Sequence, residues 1–130
     1  MSIPVSLEKL RAEVERYGKA PFLLTVSDDA RPHSVSVAIG WDGDALVLNP
    51  GKRTRANVAA RPLVSLLWAP LERGGYSLIV DADASVRGEG EAARVVVRPT
   101  RAVLHRPAEP GTVLKDGCSA DCVRIVPSGV

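Results

Sequence analysis

Helical periodicity is clearest near the N-terminal end of the chain. Apolar residues recur there at three- and four-residue spacing with charged residues between them: Leu7, Leu10, Val14 and Tyr17. This pattern is typical of an amphipathic helix with one face against a core. Ser6 is a favoured N-cap residue and Gly18 favours termination. We therefore predict a helix between these two residues that covers one end of a sheet.

Further along, the period changes to two. From His33 to Trp41, valine and isoleucine alternate with serine and alanine, which predicts a strand with one buried face. Asp42-Gly43 follows, a pair that tolerates the backbone angles of a tight hairpin. The chain is then expected to return as a strand from Ala45 to Leu48.

The remaining predicted elements are short and mostly extended. They are strands Phe22–Val26, Leu63–Trp68, Tyr76–Val86, Arg94–Leu104 and Cys122–Val126, a short helix Thr54–Ala60, and a loop Pro107–Gly117. Leu63–Trp68 is apolar almost without a break, which predicts burial on both faces. One helix, a short helical turn and six or seven strands at hairpin spacing predict a mainly β fold, an antiparallel barrel that is closed or partly closed.

Composition narrows the class of protein. The 130 residues, 45% hydrophobic and 25% charged, fit a single domain over residues 1–130. A net charge of +2 and 4% aromatic residues argue against a nucleic-acid partner. The lack of a long apolar run or signal peptide predicts a cytoplasmic protein without a membrane partner, in which Cys118 and Cys122 are reduced thiols.

Positive charge is concentrated in one segment. Between Asp44 and Glu72 the chain has no acidic residue but four basic ones: Lys52, Arg53, Arg55 and Arg61. A solvated face is the ordinary interpretation of such arginines. The alternative is a phosphate site, because Arg53 can bind phosphate oxygens bidentately, Thr54 offers a hydroxyl, and backbone N–H groups open the predicted helix. Asn57, one turn later, would face the same side.

Other motifs carry little chemistry. Gly88–Ala93 matches the letters GxGxxA, but a β-branched run follows it where dinucleotide binding requires a helix. No residue is identified as catalytic. Cys118 and Cys122 could ligate zinc with His33 or His105, but their CxxxC spacing is not that of a common zinc knuckle, so no metal site is predicted.

The segment from Asp28 to Pro70 resembles the FMN-binding split-barrel family, the pyridoxamine 5′-phosphate oxidase-like flavoproteins and their deazaflavin (F420) relatives. The resemblance depends on order and spacing together rather than on one motif. The matching residues are Ala30-Arg31-Pro32-His33, Asp42-Gly43, Leu46-Val47-Leu48-Asn49, Lys52-Arg53-Thr54, Asn57, and Pro62-Leu63-Val64-Ser65-Leu66-Leu67-Trp68.

The resemblance implies a split barrel with an N-terminal helix and a short helix after the third strand. It also implies a homodimer that binds F420 or FMN between its subunits and oxidises or reduces a small organic substrate. Arg53 and Thr54 would hold the cofactor phosphate, supported by Lys52 and Asn57. The ring edge would meet the backbone of two adjacent strands, at Val35, Ser36 and Val37 and at Val47, Leu48 and Asn49.

One departure from the family pattern concerns Thr54, where oxidases of the vitamin B6 branch usually carry lysine. That departure and the arginine-rich composition favour F420 over FMN, and the extra carboxylates of an F420 tail would find partners in Lys52, Arg55 and Arg61. The alternative is a non-catalytic split barrel that binds haem or stores flavin. In that case His33 and His105 are the candidate haem ligands.

Overall fold

The computed structural model describes residues 1–108, which form eight strands, two α-helices and one 3₁₀ turn. The elements are β1 (Ser2–Val5), α1 (Leu7–Tyr17), β2 (Phe22–Val26), β3 (Pro32–Ser36), β4 (Ile39–Asp42), β5 (Ala45–Leu48), α2 (Lys52–Ala60), β6 (Leu63–Trp68), β7 (Ser77–Arg87), the 3₁₀ turn (Gly90–Ala92) and β8 (Arg94–His105). The predicted strand Cys122–Val126, both cysteines and most of the predicted loop Pro107–Gly117 lie outside the described residues.

All strand pairs are antiparallel, and the sheet runs in the order β3-β2-β6-β7-β8-β5-β4, with β1 paired to the far end of β8. The two ends of this order, β3 and β4, are consecutive in the chain. They are joined by Val37 and Ala38 alone, so the sheet curls back on itself. The predicted mainly β, split-barrel architecture is confirmed.

The interior of the barrel holds the apolar core. Its largest fully buried side chains include Leu23, Leu46, Leu48, Leu66, Leu78, Val80, Val95 and Val97. Helix α1 adds Leu10 and Val14 from the predicted amphipathic face. No helix within residues 1–108 combines the length and the apolarity that a membrane crossing requires.

The strand predicted from His33 to Trp41 is broken at Val37-Ala38. Its first half, β3, pairs with β2, and its second half, β4, pairs with β5. At the break, the backbone N–H of Val37 donates to the carbonyl of Pro21 at 2.9 Å. The alternation of residues continues through this change of partner, which is why periodicity alone predicts one strand.

Two further predictions need correction. β1 was not predicted, because four residues that include a proline carry almost no periodic signal. β6 has the predicted bounds but is not buried on both faces: Leu63 is 71% exposed, and Ser65 and Leu67 are only partly covered. The run is apolar almost throughout because its outer face also carries leucine, at Leu63 and Leu67.

Candidate functional site

A cleft of about 680 Å³ lies where α2 meets the turn between β2 and β3. We call it the α2 cleft. Its lining residues are Ser27, Asp28, Asp29, Arg31, Pro32, His33, Lys52, Arg53, Ala56 and Asn57. Three of the predicted phosphate-binding residues therefore line one cavity, namely Lys52, Arg53 and Asn57.

Lys52 and Arg53 supply the cleft with positive charge. Both are exposed and lie in the first turn of α2, whose N-cap, Gly51, offers no side-chain hydrogen bond to the first N–H groups. Neither forms an ion pair with any other part of residues 1–108. Two cations and a helix N-terminus at one cavity wall make a local environment that attracts an anion.

The carboxylates of the cleft, in contrast, are already paired. Arg61 Nη2 donates to Asp28 Oδ1 at 2.6 Å and Arg61 Nε donates to the carbonyl of Val26 at 2.7 Å, which fixes the β2–β3 turn against α2. Asp29 accepts hydrogen bonds from the Ser27 hydroxyl at 2.7 Å and from the Arg31 N–H at 3.3 Å. These bonds, the Ser27 bond foremost, lower the pKa of Asp29, and the nearby Arg53 adds a smaller effect in the same direction.

The residues of α2 that were predicted to bind phosphate lie on different faces of the helix. Residues three and four apart share a face, and the face turned to the barrel carries Thr54, Asn57 and Val58. Thr54 is only 2% exposed and does not line the cleft. Asn57 reaches the cleft wall from the same buried face, and its Nδ2 donates to Thr25 Oγ1 at 3.1 Å.

Arg55 stabilises the chain at the N-terminal end of α2. Its Nη1 donates to the carbonyl of Pro50 at 2.7 Å, which holds the entry into α2. It does not line the cleft. Of the basic residues identified in the sequence, Arg55 and Arg61 therefore bind backbone oxygens, while Lys52 and Arg53 remain available to a ligand.

His33 was considered from the sequence only as a haem or zinc ligand, and not as part of the flavin site. It lies opposite Thr25 in the β2–β3 register and lines the cleft. Its Nδ1 is buried without a hydrogen-bond partner, whereas Nε2 is not buried. The alternation of the strand could have indicated this, because His33 lies on the same face as Val35 and opposite the exposed Ser34.

The two segments predicted to meet the ring edge are not neighbouring strands. Val35 and Ser36 belong to β3, whereas Val47 and Leu48 belong to β5, which pairs with β4 and β8. The backbone of Val47 and Leu48 is thus paired on both sides, and that of β3 is paired only with β2. The side chains of Val37 and Leu48 are buried in the core, while Ser36 and Asn49 are exposed.

His105 lies at the other end of the barrel. Its Nδ1 is 3.1 Å from the hydroxyl of Ser2. Burial lowers its pKa, and the positive N-terminus adds to that effect. In the part of the chain that the structure describes, no three histidine, cysteine or acidic residues cluster as metal ligands would.

Sequence comparison gives two close relatives. The chain is 41% identical over 133 residues to an uncharacterised protein of Mycobacterium bovis, covering 92% of this chain and 93% of the relative. An uncharacterised protein of Mycobacterium tuberculosis matches with the same values. The chain belongs to the family of these mycobacterial proteins. No protein-family model matches it.

Solved structures establish the fold. A putative pyridoxamine 5′-phosphate oxidase of Listeria innocua superposes with a TM-score of 0.62 at 18% identity, covering 75% of this chain and 96% of that one. An F420 reductase gives 0.52 at 20% identity, covering 65% and 88%. An FAD-binding protein of Mycobacterium smegmatis gives 0.59 at 15% identity, covering 82% and 100%. This confirms the resemblance to the pyridoxamine 5′-phosphate oxidase-like split barrels.

The same fold occurs in a haem-binding protein of Mycobacterium smegmatis, with a TM-score of 0.56 at 16% identity, covering 77% of this chain and 54% of that one. The fold alone therefore does not choose between cofactors. That choice has to come from the residues of the cleft.

Proposed function

We propose that this chain binds the phosphate-bearing end of a flavin-type cofactor, F420 or FMN, in the α2 cleft and acts as an oxidoreductase on a small organic substrate. The observation that carries the proposal is the unpaired state of Lys52 and Arg53 beside carboxylates that are already paired. An F420 reductase and an FAD-binding protein with the same fold support the type of cofactor.

The residues of the cleft fit a phosphate. Arg53 offers a planar pair of donors, Lys52 a mobile ammonium, and the first N–H groups of α2 complete a donor set. Thr54 is not part of this proposal because its side chain is buried. On the β3 side, Val35 and Ser36 stay in the proposal as contacts to the ring, since one edge of β3 has no strand partner within residues 1–108.

A bound deazaflavin or flavin supplies the hydride or electron-pair chemistry itself. The protein then has to bind the phosphate, orient the ring and limit the access of water. The charged mouth of the cleft is suited to the first task, and the unpaired backbone edge of β3 is suited to the second. F420 is favoured over FMN because its anionic tail would add a contact to Lys52. The other two predicted tail partners, Arg55 and Arg61, already bind backbone oxygens and do not line the cleft.

The outer face of β2, β6 and β7 favours a homodimer. Phe22, Leu67 and Ile79 are aligned across three adjacent strands, and Phe22 and Leu63 are 45% and 71% exposed. Leu63 is separated from this row by the polar pair Ser65 and Asp81. Exposed apolar side chains on one sheet face, with polar residues among them, favour association. We propose that a second copy of the chain covers it and brings a neighbouring subunit to the cofactor groove.

A Leu63→Asp substitution tests the dimer. It places a charge in the proposed interface, so the measured mass in light scattering should fall from that of a dimer to that of a monomer. Leu71→Asp is the matched control, because Leu71 is 53% exposed but lies outside these strands. A wild-type chain of monomer mass, or an unchanged Leu63→Asp mass, contradicts the proposed interface.

The haem-binding alternative is supported by one structure of the same fold but less well by the histidines. A histidine that ligates a metal through one nitrogen normally donates its other N–H to a partner. Nδ1 of His33 has no such partner, and Nδ1 of His105 is engaged with Ser2. By this criterion His33 is not prepared to hold haem iron. His105 meets it, but His105 does not line the α2 cleft.

Parallel titration distinguishes these functions. The purified full-length chain is titrated with F420, FMN and haem, following deazaflavin fluorescence, flavin absorbance and the Soret band. We expect saturable quenching of F420, with weaker FMN binding. A Soret band with no response to F420 or FMN would overturn the proposal in favour of haem, and no binding of any of the three would remove it.

A further inference from the structure

His33 presents two unlike nitrogens. Nδ1 is buried against the barrel wall with no donor or acceptor in reach, and Nε2 remains accessible where the ring lines the α2 cleft. Buried polar atoms without a partner are rare in folded proteins, and each one requires a physical explanation. His33 is the described residue for which this question bears on the candidate site.

The environment of Nδ1 selects a tautomer. A buried N–H without an acceptor is rarer in proteins than a buried acceptor without a donor. The neutral ring therefore keeps its proton on Nε2, and Nδ1 carries the lone pair. Asn57 does not change this, because its Nδ2 donates to Thr25 Oγ1 at 3.1 Å and forms no hydrogen bond with His33 Nδ1. The donor N–H is then at Nε2, the nitrogen that is not buried, on a ring that lines the cleft.

We propose that His33 is a ligand contact whose Nε2–H donates to an oxygen of the anionic group bound by Lys52 and Arg53. This inference rests on the proposed function and adds a donor held on a strand to its two cations. The position of His33 is set by β3, a strand held to β2 over its whole length. A donor on a strand is positioned more rigidly than the exposed side chains of α2, so His33 would set the depth and orientation of the phosphate.

Two conservative variants separate the ring nitrogens. In His33→Gln the side-chain amide reaches the position of Nε2, and in His33→Asn it reaches only that of Nδ1. If Nε2–H is the contact, His33→Gln keeps most of the affinity for F420 or FMN, and His33→Asn loses roughly tenfold or more, the range for a hydrogen bond to a charged group. Equal affinity in both variants and the wild type overturns the inference. Thermal melts verify that both variants are folded.

Imidazole NMR supplies a readout that does not need the cofactor. The chain has two histidines, so His105 serves as the internal control. We expect the ¹⁵N shifts of His33 to report the Nε2–H tautomer, and to move on titration with inorganic phosphate while those of His105 stay fixed. An Nδ1–H tautomer, or a His33 signal that ignores both phosphate and cofactor, overturns the inference.

The two proposals can fail separately. A response of His33 to phosphate without any binding of F420 or FMN would retain the anion contact and remove the flavin assignment. Binding of F420 or FMN that is weakened by Arg53→Ala but unchanged by either His33 variant would retain the function and remove His33 from the site.

Discussion

The two ends of the barrel differ in how their polar side chains are paired. At the end where β6 finishes, Trp68 Nε1 donates to the carbonyl of Gly18 at 2.8 Å and the Tyr17 hydroxyl donates to the carbonyl of Tyr76 at 2.8 Å. At the opposite end, Lys52 and Arg53 have no ion-pair partner within residues 1–108. The first end is satisfied from within the chain and stabilises the fold. The second presents exposed charges, which we propose are paired by the bound phosphate.

The Trp68 end should carry stability. Trp68 is 3% exposed and packs in the core cluster, so Trp68→Ala should lower the free energy of unfolding by about 3–5 kcal/mol, the range for losing a large buried side chain. Denaturant unfolding followed by circular dichroism measures it. An unfolding midpoint equal to that of the wild type would mean that this end of the barrel is not the stabilising one.

A smaller effect is expected from a single hydroxyl at the same end. Tyr17→Phe removes the hydrogen bond to the carbonyl of Tyr76 and leaves the ring in place, so unfolding should become easier by about 0.5–1.5 kcal/mol. The same denaturant titration measures the change. Cofactor affinity should not change, and a loss of affinity in this variant would show that the two ends are coupled.

The smallest expected effect is the change in stability with pH that results from protonation of His105. Because burial lowers the pKa of His105 in the folded protein below its ordinary value of 6.5, the unfolded chain takes up this proton first. The contribution of His105 to the free energy of unfolding is therefore fully present above pH 6.5 and decreases as the pH falls below that value. Unfolding measured across this range should show the decrease, and His105→Gln should reduce it. An identical pH dependence in the variant would contradict the assignment to His105.

Sequence patterns predicted those parts of the fold that depend on local chemistry. The bounds of β2, β5 and β6 agree with the predicted ones. The expected hairpin joins β4 and β5, but its turn is Gly43-Asp44, one residue later than the predicted Asp42-Gly43. The sequence also indicated the cluster of unpaired positive charge, because Lys52 and Arg53 have no acidic neighbour in the chain.

What the sequence could not provide depends on tertiary contacts or on helical phase. The break at Val37-Ala38 follows from a change of pairing partner, which has no local signature. Thr54 was grouped with Arg53 because they are adjacent, although adjacent residues on a helix are about 100° apart and the barrel buries only one of the two. The unpartnered Nδ1 of His33 is also a tertiary feature, because the burial of one ring nitrogen has no signature in the sequence.

The affinity of the cofactor for Arg53→Ala, compared with Arg55→Ala, tests the central claim most directly. Both variants remove one positive charge from α2, but only Arg53 lines the cleft. Fluorescence titration with F420 should show a loss of about 1–3 kcal/mol in binding free energy for Arg53→Ala and a smaller loss for Arg55→Ala. Equal affinities in the wild type and both variants would contradict the claim that the α2 cleft binds the phosphate.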